Sequence, residues 1–248
     1  MRISTSIAAL LVSATSVFAA DLDALTEGER NAFRAEVRAY LLDNPEVLME
    51  AIGVLEARQA EAETLRDQQL AQVNYNELTN DGFSFVGGNP EGDVTIIEFI
   101  DYRCGFCRRA HPEVAELVAT DGNIRVITKE FPILGEQSLL ASQFAVATKL
   151  IEGDTVYKDI SNALISLRSD VTEASLGSLA SAYDLDAEAI FEKMGSPEVS
   201  QILAANRSLG ERMQISGTPT FVFGDQMVRG YVDLARMRQI VEQERSEG

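Results

Sequence analysis

Hydrophobic residues recur at helical spacing through the amino-terminal part of the chain. Leu48, Ile52 and Leu55 fall on one face of such a helix. Pro45 interrupts the segment, and proline is well tolerated at a helix start but poorly inside a helix. We therefore predict one helix that ends near Leu42 and a second helix that begins at Pro45.

The apolar stripe thins beyond Leu55. In residues 56–72 only Leu65 and Leu70 are large and apolar, although the helix propensity stays high. With so little to bury, this stretch suits a solvated spacer helix, or one paired weakly with another subunit. An ordinary helix packed on its own domain is the alternative. Residues 20–80 are accordingly predicted to form a helical arm, which is also a candidate oligomerisation segment.

Strand patterns follow the turn-rich residues 80–93. Residues 94–100 are β-branched and apolar nearly throughout, which is typical of a strand buried on both faces of a mixed sheet. Residues 124–131 have the same character, and helical spacing lies between the two segments. A short strand is also indicated at residues 83–86. Strand, helix and strand joined by short links predict a right-handed parallel crossover.

A long helical region and a hairpin complete the chain. Every segment of residues 137–213 has helical periodicity. Helix starts with capping side chains are predicted at Thr172, Asp186 and Ser196. Residues 217–230 contain two short strand patterns around a Gly-Asp turn, which predicts a hairpin, and a last helix follows. These elements together predict an α/β fold.

The first residues have the pattern of a secretory signal peptide. Residues 1–19 hold one basic residue, an apolar run and small residues before the predicted cleavage after Ala19. A buried first helix is the alternative, and the run is too short to span a bilayer. We therefore expect a periplasmic or otherwise exported protein, with attachment to an outer membrane left open.

The charge of the chain bears on its partners. There are 39 acidic and 21 basic residues, which gives a formal net charge of −18. A surface this acidic repels phosphate backbones and anionic lipid. We therefore expect no nucleic-acid partner and no role at a membrane surface.

The two cysteines of the chain, Cys104 and Cys107, lie within one short window. A disulfide across so small a loop contributes little stability, so the pair is better explained by its chemistry. Cys104 falls where the strand ends and the helix begins, and there unpaired N–H groups and the helix dipole favour a thiolate. We predict that Cys104 is the exposed attacking sulfur and Cys107 the buried resolving sulfur of a redox dithiol.

Metal binding is a competing interpretation of a Cys-x-x-Cys pair. A closed zinc site needs four ligands, whereas this chain offers Cys104, Cys107 and His111, which is more often a helix-surface residue. We therefore predict no metal and no cofactor. A copper-binding protein or a structural surface component is kept as a different class of function.

Two motifs resemble the DsbA-like branch of the thioredoxin superfamily. These are EFIDYRCGFC, which contains both cysteines, and the later SGTPTF, and the resemblance covers residues 83–243. It implies a thioredoxin-like domain over residues 81–248 with a helical insertion at residues 137–213. It also implies a protein disulfide oxidoreductase that exchanges disulfides with cysteine-containing exported proteins and is reset by a membrane redox partner.

Single residues carry over by position in these motifs. Glu98 matches a buried acid that shuttles protons to the resolving cysteine, and burial in an apolar strand should raise its pKa. A surface acid facing an edge is the alternative. Pro219 matches a cis-proline loop that faces the dithiol, with the backbone of Thr218 available to an extended substrate. The alternative is that Pro219 is a trans proline at a sheet edge.

Gly105 and Phe106 depart from the resemblance, because the best-known oxidases have Pro-His there. Neither residue adds charge or a side-chain donor, so we expect a milder oxidant. With Thr218 and Pro219 they are the candidate substrate-binding residues. Residues 39–52 are similar to the leading segment of ScsC-like members, which implies a homo-oligomer formed through the arm. An oligomeric isomerase or reductase is therefore the alternative to an oxidase.

Overall fold

The computed structural model describes residues 25–247, so the predicted signal peptide at residues 1–19 lies outside the described residues. The described residues divide into two compact units, one that ends at Arg58 and one that begins at Gln59. Within the described residues, no helix combines the length and the apolar character that a membrane crossing requires.

The first unit is built from helices. Helix α1 (Glu27–Asp43) starts at a capping box, in which the Thr26 hydroxyl accepts the Glu29 N–H and the Glu29 carboxylate accepts the Thr26 N–H. Helix α2 (Glu46–Val73) follows, so the predicted break at Pro45 is confirmed. The boundary between the two units falls inside α2. Helix α1 buries none of its residues.

The second unit contains the remaining elements. They follow α2 in the order α3 (Tyr75–Thr79), β1 (Phe85–Gly88), β2 (Val94–Ile100), α4 (Gly105–Asp121), β3 (Ile124–Glu130), α5 (Glu136–Glu152), α6 (Asp154–Ser166), α7 (Glu173–Ala182), α8 (Ala187–Met194), α9 (Pro197–Arg212), β4 (Thr220–Phe223), β5 (Gln226–Arg229) and α10 (Leu234–Glu247).

The strands form one mixed sheet in the order β1-β3-β2-β4-β5. Strands β2 and β3 are parallel with α4 between them, which confirms the predicted crossover. The hairpin of β4 and β5 is also confirmed, and β4 pairs antiparallel with β2. Strand β1 pairs antiparallel with β3, and it begins two residues later than the predicted strand at residues 83–86.

Helices cover both faces of the sheet. Helices α4 and α10 pack on one face, around residues such as Ile96, and α3 and α9 pack on the other, around Ile97 and Phe99. Because successive side chains of a strand point to opposite faces, Glu98 lies on the α4 face. Helices α5 to α9 form a separate apolar cluster, and both cysteines belong to it.

The end of α2 packs on the sheet. Residues 56–66 are exposed, which agrees with the predicted spacer. From Asp67 onwards α2 is instead an ordinary helix packed on its own domain, because Asp67 and Ala71 are buried. The carboxylate of Asp67 pairs with the guanidinium of Arg229 on β5, with 2.8 Å between Oδ1 and Nη2.

Candidate active site

Cys104 is the N-cap residue of α4. Strand β2 ends at Ile100, and a turn closed by the Cys104 N–H and the Asp101 carbonyl, 3.0 Å apart, leads into the helix. The Cys104 Sγ accepts the N–H of Cys107 at 3.4 Å. The predicted position of Cys104, at the junction of strand and helix, is therefore confirmed.

Both cysteines are free thiols, and both are buried. Cys107 is 1% exposed and Cys104 is 6% exposed, so the prediction of an exposed Cys104 is wrong. The physical reason is the helical insertion, which packs against both cysteines. The loop before β4 also contributes, because the Cys104 thiol donates to the Thr218 carbonyl at 3.1 Å.

Burial controls the protonation of Cys107 and Glu98. Burial raises the pKa of the Cys107 thiol far above its ordinary value, and the charges of Cys104 and Glu98 raise it further. Glu98 is 5% exposed, which excludes a surface acid. Burial raises the pKa of Glu98 to about 7. The dithiol thus has beside it a carboxyl group that changes charge near neutrality.

The candidate substrate-binding residues surround Cys104. The Thr218–Pro219 peptide bond is cis, and Pro219 accepts the Gly230 N–H at 2.9 Å. The Thr218 N–H donates no hydrogen bond to the described part of the chain. Gly105 begins α4 and is exposed, and Phe106 is 60% exposed. Gly105 and Phe106 therefore form an accessible surface beside a covered sulfur, whereas Pro219 is buried.

Asp101 is a site residue that the sequence reasoning missed. Its buried carboxylate accepts three backbone N–H groups: from Arg103 at 2.8 Å, Ile133 at 2.8 Å and Leu134 at 3.0 Å. These bonds hold the turn before Cys104 against the loop after β3. An acid directly after a buried strand, in position to form an Asx turn, was the available signal.

Glu130 is a second missed residue. Its carboxylate accepts hydrogen bonds from Tyr102 at 2.6 Å, Tyr157 at 2.6 Å and Ser142 at 2.7 Å. Burial raises the pKa of Glu130 to about 7, although these hydrogen bonds oppose the rise. Through Tyr102 this cluster ties the cysteine turn to α5 and α6. No sequence signal identifies it, because its members are far apart in the chain.

A cavity of about 400 Å³ lies beside α4. Glu98, His111, Lys158 and Asn162 are among its lining residues. His111 is half-buried, its Nε2 lies 2.8 Å from Asn162 Oδ1, and burial lowers the pKa of His111. His111 therefore lies partly exposed on α4. In the described part of the chain, no three His, Cys, Asp or Glu side chains are grouped so that they could hold a metal ion.

A mixed sheet with a parallel crossover, a dithiol at the start of the crossover helix and a facing cis-proline define a thioredoxin-like dithiol protein. Residues 95–242 match the family described as DSBA-like thioredoxin domain. The chain belongs to this family and is a disulfide oxidoreductase with a thioredoxin-like fold. Residues 29–62 match a second family, described as Copper resistance protein ScsC N-terminal domain.

Solved structures share the fold of this chain. A thioredoxin-like oxidoreductase from Silicibacter pomeroyi DSS-3 is 37% identical, with a TM-score of 0.65 over 69% of this chain and 97% of that chain. BcfH of Salmonella enterica Typhimurium is 28% identical, with a TM-score of 0.74 over 88% of this chain and 96% of that chain.

Curated relatives include Disulfide bond formation protein D of Bacillus subtilis strain 168. It is 24% identical over 192 residues, which are 68% of this chain and 85% of that protein. Two Na(+)/H(+) antiporters, NhaA 3 of Salinispora tropica and NhaA 1 of Salinispora arenicola, are 26% and 25% identical. The chain spans only 21% and 24% of the length of these two antiporters.

Proposed function

We propose that this protein is exported to the periplasm and exchanges disulfides with cysteine-containing exported proteins through Cys104 and Cys107. One observation carries the proposal: the Cys104 sulfur caps α4, accepts the Cys107 N–H and lies against Thr218. The secretory pattern of residues 1–19 supports export.

The oxidising reaction starts from the Cys104–Cys107 disulfide. A substrate thiolate attacks the Cys104 sulfur, the enzyme disulfide breaks, and Cys107 leaves as a thiolate that takes up a proton. A second substrate thiolate then attacks the substrate sulfur of the mixed disulfide and releases the Cys104 thiolate. The substrate loses two electrons and the enzyme gains two. Negative charge on the Cys104 sulfur is stabilised at the amino end of α4.

Glu98 supplies and removes the proton of Cys107. The pKa of the Cys107 thiol is raised by burial, so its thiolate needs a proton donor when it leaves and its thiol needs a base when it attacks. The Glu98 side chain lies on the face of the sheet that α4 covers, and burial raises the pKa of Glu98 to about 7. A group with that pKa serves both directions near neutrality.

The surface beside Cys104 receives an extended substrate segment. The Thr218 N–H is available to such a backbone, and Pro219 keeps the loop against the dithiol. Phe106, which is exposed, adds an apolar contact, and Gly105 leaves open space beside it.

A disulfide isomerase or reductase is the second candidate. The match of residues 29–62 to the ScsC N-terminal domain favours it, as do exposed apolar side chains on α1 and α2. Self-association through this arm would let several dithiols act on one misfolded chain. An oxidase needs a membrane redox partner to restore its disulfide, whereas an isomerase works with the dithiol reduced.

Trapping tests the role of each cysteine. The Cys107→Ala variant should accumulate mixed disulfides with exported proteins, because the resolving sulfur is absent. The Cys104→Ala variant is the matched control and should accumulate none. Equal trapping by both variants would refute the assignment. A redox titration of the wild type then separates the directions, since a potential near that of thioredoxin, roughly −270 mV, excludes a dedicated oxidase.

A further inference from the structure

The surroundings of the dithiol are basic, although the chain has a net charge of −18. Arg103 precedes Cys104, Arg108 follows Cys107, and Arg168 lies in the loop after α6. Of the two acids in residues 101–112 and 167–171, the Asp101 carboxylate is buried and binds backbone N–H groups, and Asp170 is exposed.

Hydrogen bonds tie Arg103 and Arg108 to the loop that carries Arg168. The guanidinium of Arg108 donates to the carbonyls of Ile165 at 2.8 Å and Leu167 at 3.1 Å, which ties α4 to the loop that carries Arg168. Arg103 donates to the carbonyl of Ser169, in the same loop, at 2.9 Å. Arg103, Arg108 and Arg168 therefore lie in adjoining segments next to the dithiol. We call them the arginine cluster.

Electrostatics agree with this geometry. Burial lowers the pKa of Arg108, and the positive charges of Arg168 and Arg103 lower it further, whereas a charge on Cys104 acts in the opposite direction. Like charges held this close repel one another, and a carboxylate placed among them relieves that repulsion.

Arg168 is the member of the cluster that is free to bind. Arg108 and Arg103 use donors on backbone carbonyls, and Arg103 also lies 3.9 Å from Asp170. Arg168 is exposed and forms no hydrogen bond or ion pair with any residue that the structure describes. Its planar group can therefore hold an external carboxylate by two parallel hydrogen bonds.

We propose that the arginine cluster selects substrate segments that carry a carboxylate beside the reacting cysteine. The inference rests on the proposed disulfide exchange and names its substrate class. A substrate sulfur must reach Cys104, so the residues that flank it pass Arg103 and Arg168. Exposed charges at the rim of a contact act mainly on the rate of association, so the selection appears in that rate and weakens in salt.

The test uses the full-length, oxidised protein and three dithiol peptides. The peptides differ only at the positions beside the reacting cysteine, which carry Asp and Glu, Asn and Gln, or Lys. Acid quenching, alkylation and mass spectrometry give the second-order rate of peptide oxidation. Each rate is divided by the rate of that peptide with a neutral small disulfide, because flanking charges also change peptide reactivity. We expect the acidic peptide to exceed the neutral one by about five- to tenfold at low salt, and by less than about twofold in 0.5 M NaCl.

Variants locate the source of the preference. Arg168→Gln should lower the acidic-to-neutral ratio by about three- to fivefold and leave the neutral peptide within about twofold of the wild type. Arg238→Gln is the matched control. This substitution removes the same charge. However, Arg238 pairs with Glu116 and Thr120, which lie three to four turns along α4 from Cys104. Its ratio should equal that of the wild type.

The outcomes separate this inference from the proposed function. No acidic preference in the wild type, or a preference that survives Arg168→Gln unchanged, would overturn the inference and leave disulfide exchange standing. If Arg168→Gln lowered the oxidation rate of all three peptides equally, the inference would also be overturned, because Arg168 would then act on Cys104 and not on the substrate. Absence of exchange with every peptide would overturn both.

Discussion

Two buried carboxyl groups near the dithiol have the same raised pKa but different surroundings. Burial raises the pKa of Glu98 and of Glu130 to about 7. The Glu130 carboxylate accepts hydrogen bonds from three hydroxyl groups, whereas the Glu98 carboxyl group forms no side-chain hydrogen bond with the described residues. Glu130 is therefore held in a structural cluster, and Glu98 is free to exchange its proton. We therefore propose that Glu98, and not Glu130, carries the proton.

The Glu98→Gln variant tests that role. We expect resolution of a Cys104 mixed disulfide by Cys107 to rise with pH through about 7 in the wild type, because ionised Glu98 accepts the Cys107 proton. The variant should resolve about 100-fold more slowly at pH 8 and lose the inflection near neutrality. Release of glutathione from the mixed disulfide, followed by rapid quenching, gives the rate.

Glu130→Gln is the matched control for this experiment. It removes a carboxyl with the same pKa from a different place, so the inflection near pH 7 should persist. An inflection that vanishes in Glu130→Gln and persists in Glu98→Gln would show that we have assigned the two carboxyls the wrong way round.

Asp101 illustrates how one side chain supports the whole turn. Asp101→Asn retains a single acceptor oxygen where three backbone N–H groups now bind a carboxylate. We expect the free energy of unfolding to fall by about 2–3 kcal/mol, as measured by urea denaturation. The exposed Asp170→Asn is the control and should change it by less than about 0.5 kcal/mol. Equal effects of the two substitutions would contradict a structural role for Asp101.

At the scale of elements, a buried ion pair contributes to the docking of α2, beside the apolar contact of Ala71. Asp67 is buried and pairs with Arg229 on β5, while Glu63 is exposed and lies 3.8 Å from the same guanidinium. Asp67→Asn should cost about 1–3 kcal/mol of stability and speed amide exchange at the end of α2. Glu63→Gln should do neither, because exposed pairs contribute little. Slower or unchanged exchange in Asp67→Asn would argue against this docking.

Elements with a uniform environment could be predicted from the sequence. Strand β2 is buried on both faces, so its limits, Val94–Ile100, are those the apolar run predicts. The edge strand β1 has one partner and a weak pattern, and the sequence predicts its start two residues early. The burial of Cys104 could not be predicted. The helices that cover it lie more than 30 residues away in the chain, and periodicity does not show how those helices pack.

At the scale of the whole molecule, the buried carboxyls couple folding to pH. Glu98 and Glu130 bind protons more tightly in the folded chain than at the ordinary value of 4.5. Their contribution to stability is therefore complete below about 4.5 and is lost as pH rises to about 7. His111, whose pKa is lowered by burial, acts in the opposite direction as a single group.

The reduced protein should accordingly be less stable at pH 8 than at pH 5. We expect a decrease of about 2–4 kcal/mol in the free energy of unfolding, measured by urea denaturation across this range. Glu98→Gln should remove roughly half of the decrease, because a glutamine does not titrate. A stability that rises with pH in the wild type would contradict the raised pKa values.

The arm supplies the last prediction at this scale. Helices α1 and α2 expose large apolar side chains that include Phe33, Tyr40, Leu48 and Ile52. These residues lie within the match to the ScsC N-terminal domain at residues 29–62. Water penalises such a surface, so a second copy that covers it gains about 1.5–3 kcal/mol for each side chain buried. We therefore expect self-association at tens of micromolar in sedimentation velocity.

Point variants of the intact chain decide whether this face is the contact. Phe33→Ser and Leu48→Ser should each weaken association about 10- to 100-fold, because each removes one apolar side chain from the contact. Leu65→Ser is the matched control, since Leu65 is equally exposed on α2 but lies outside residues 29–62. Its association should equal that of the wild type. Weakening by Leu65→Ser alone would place the contact outside this face. A monomeric wild type would show that no such contact forms, and an isomerase that depends on several dithiols would then lose its physical basis.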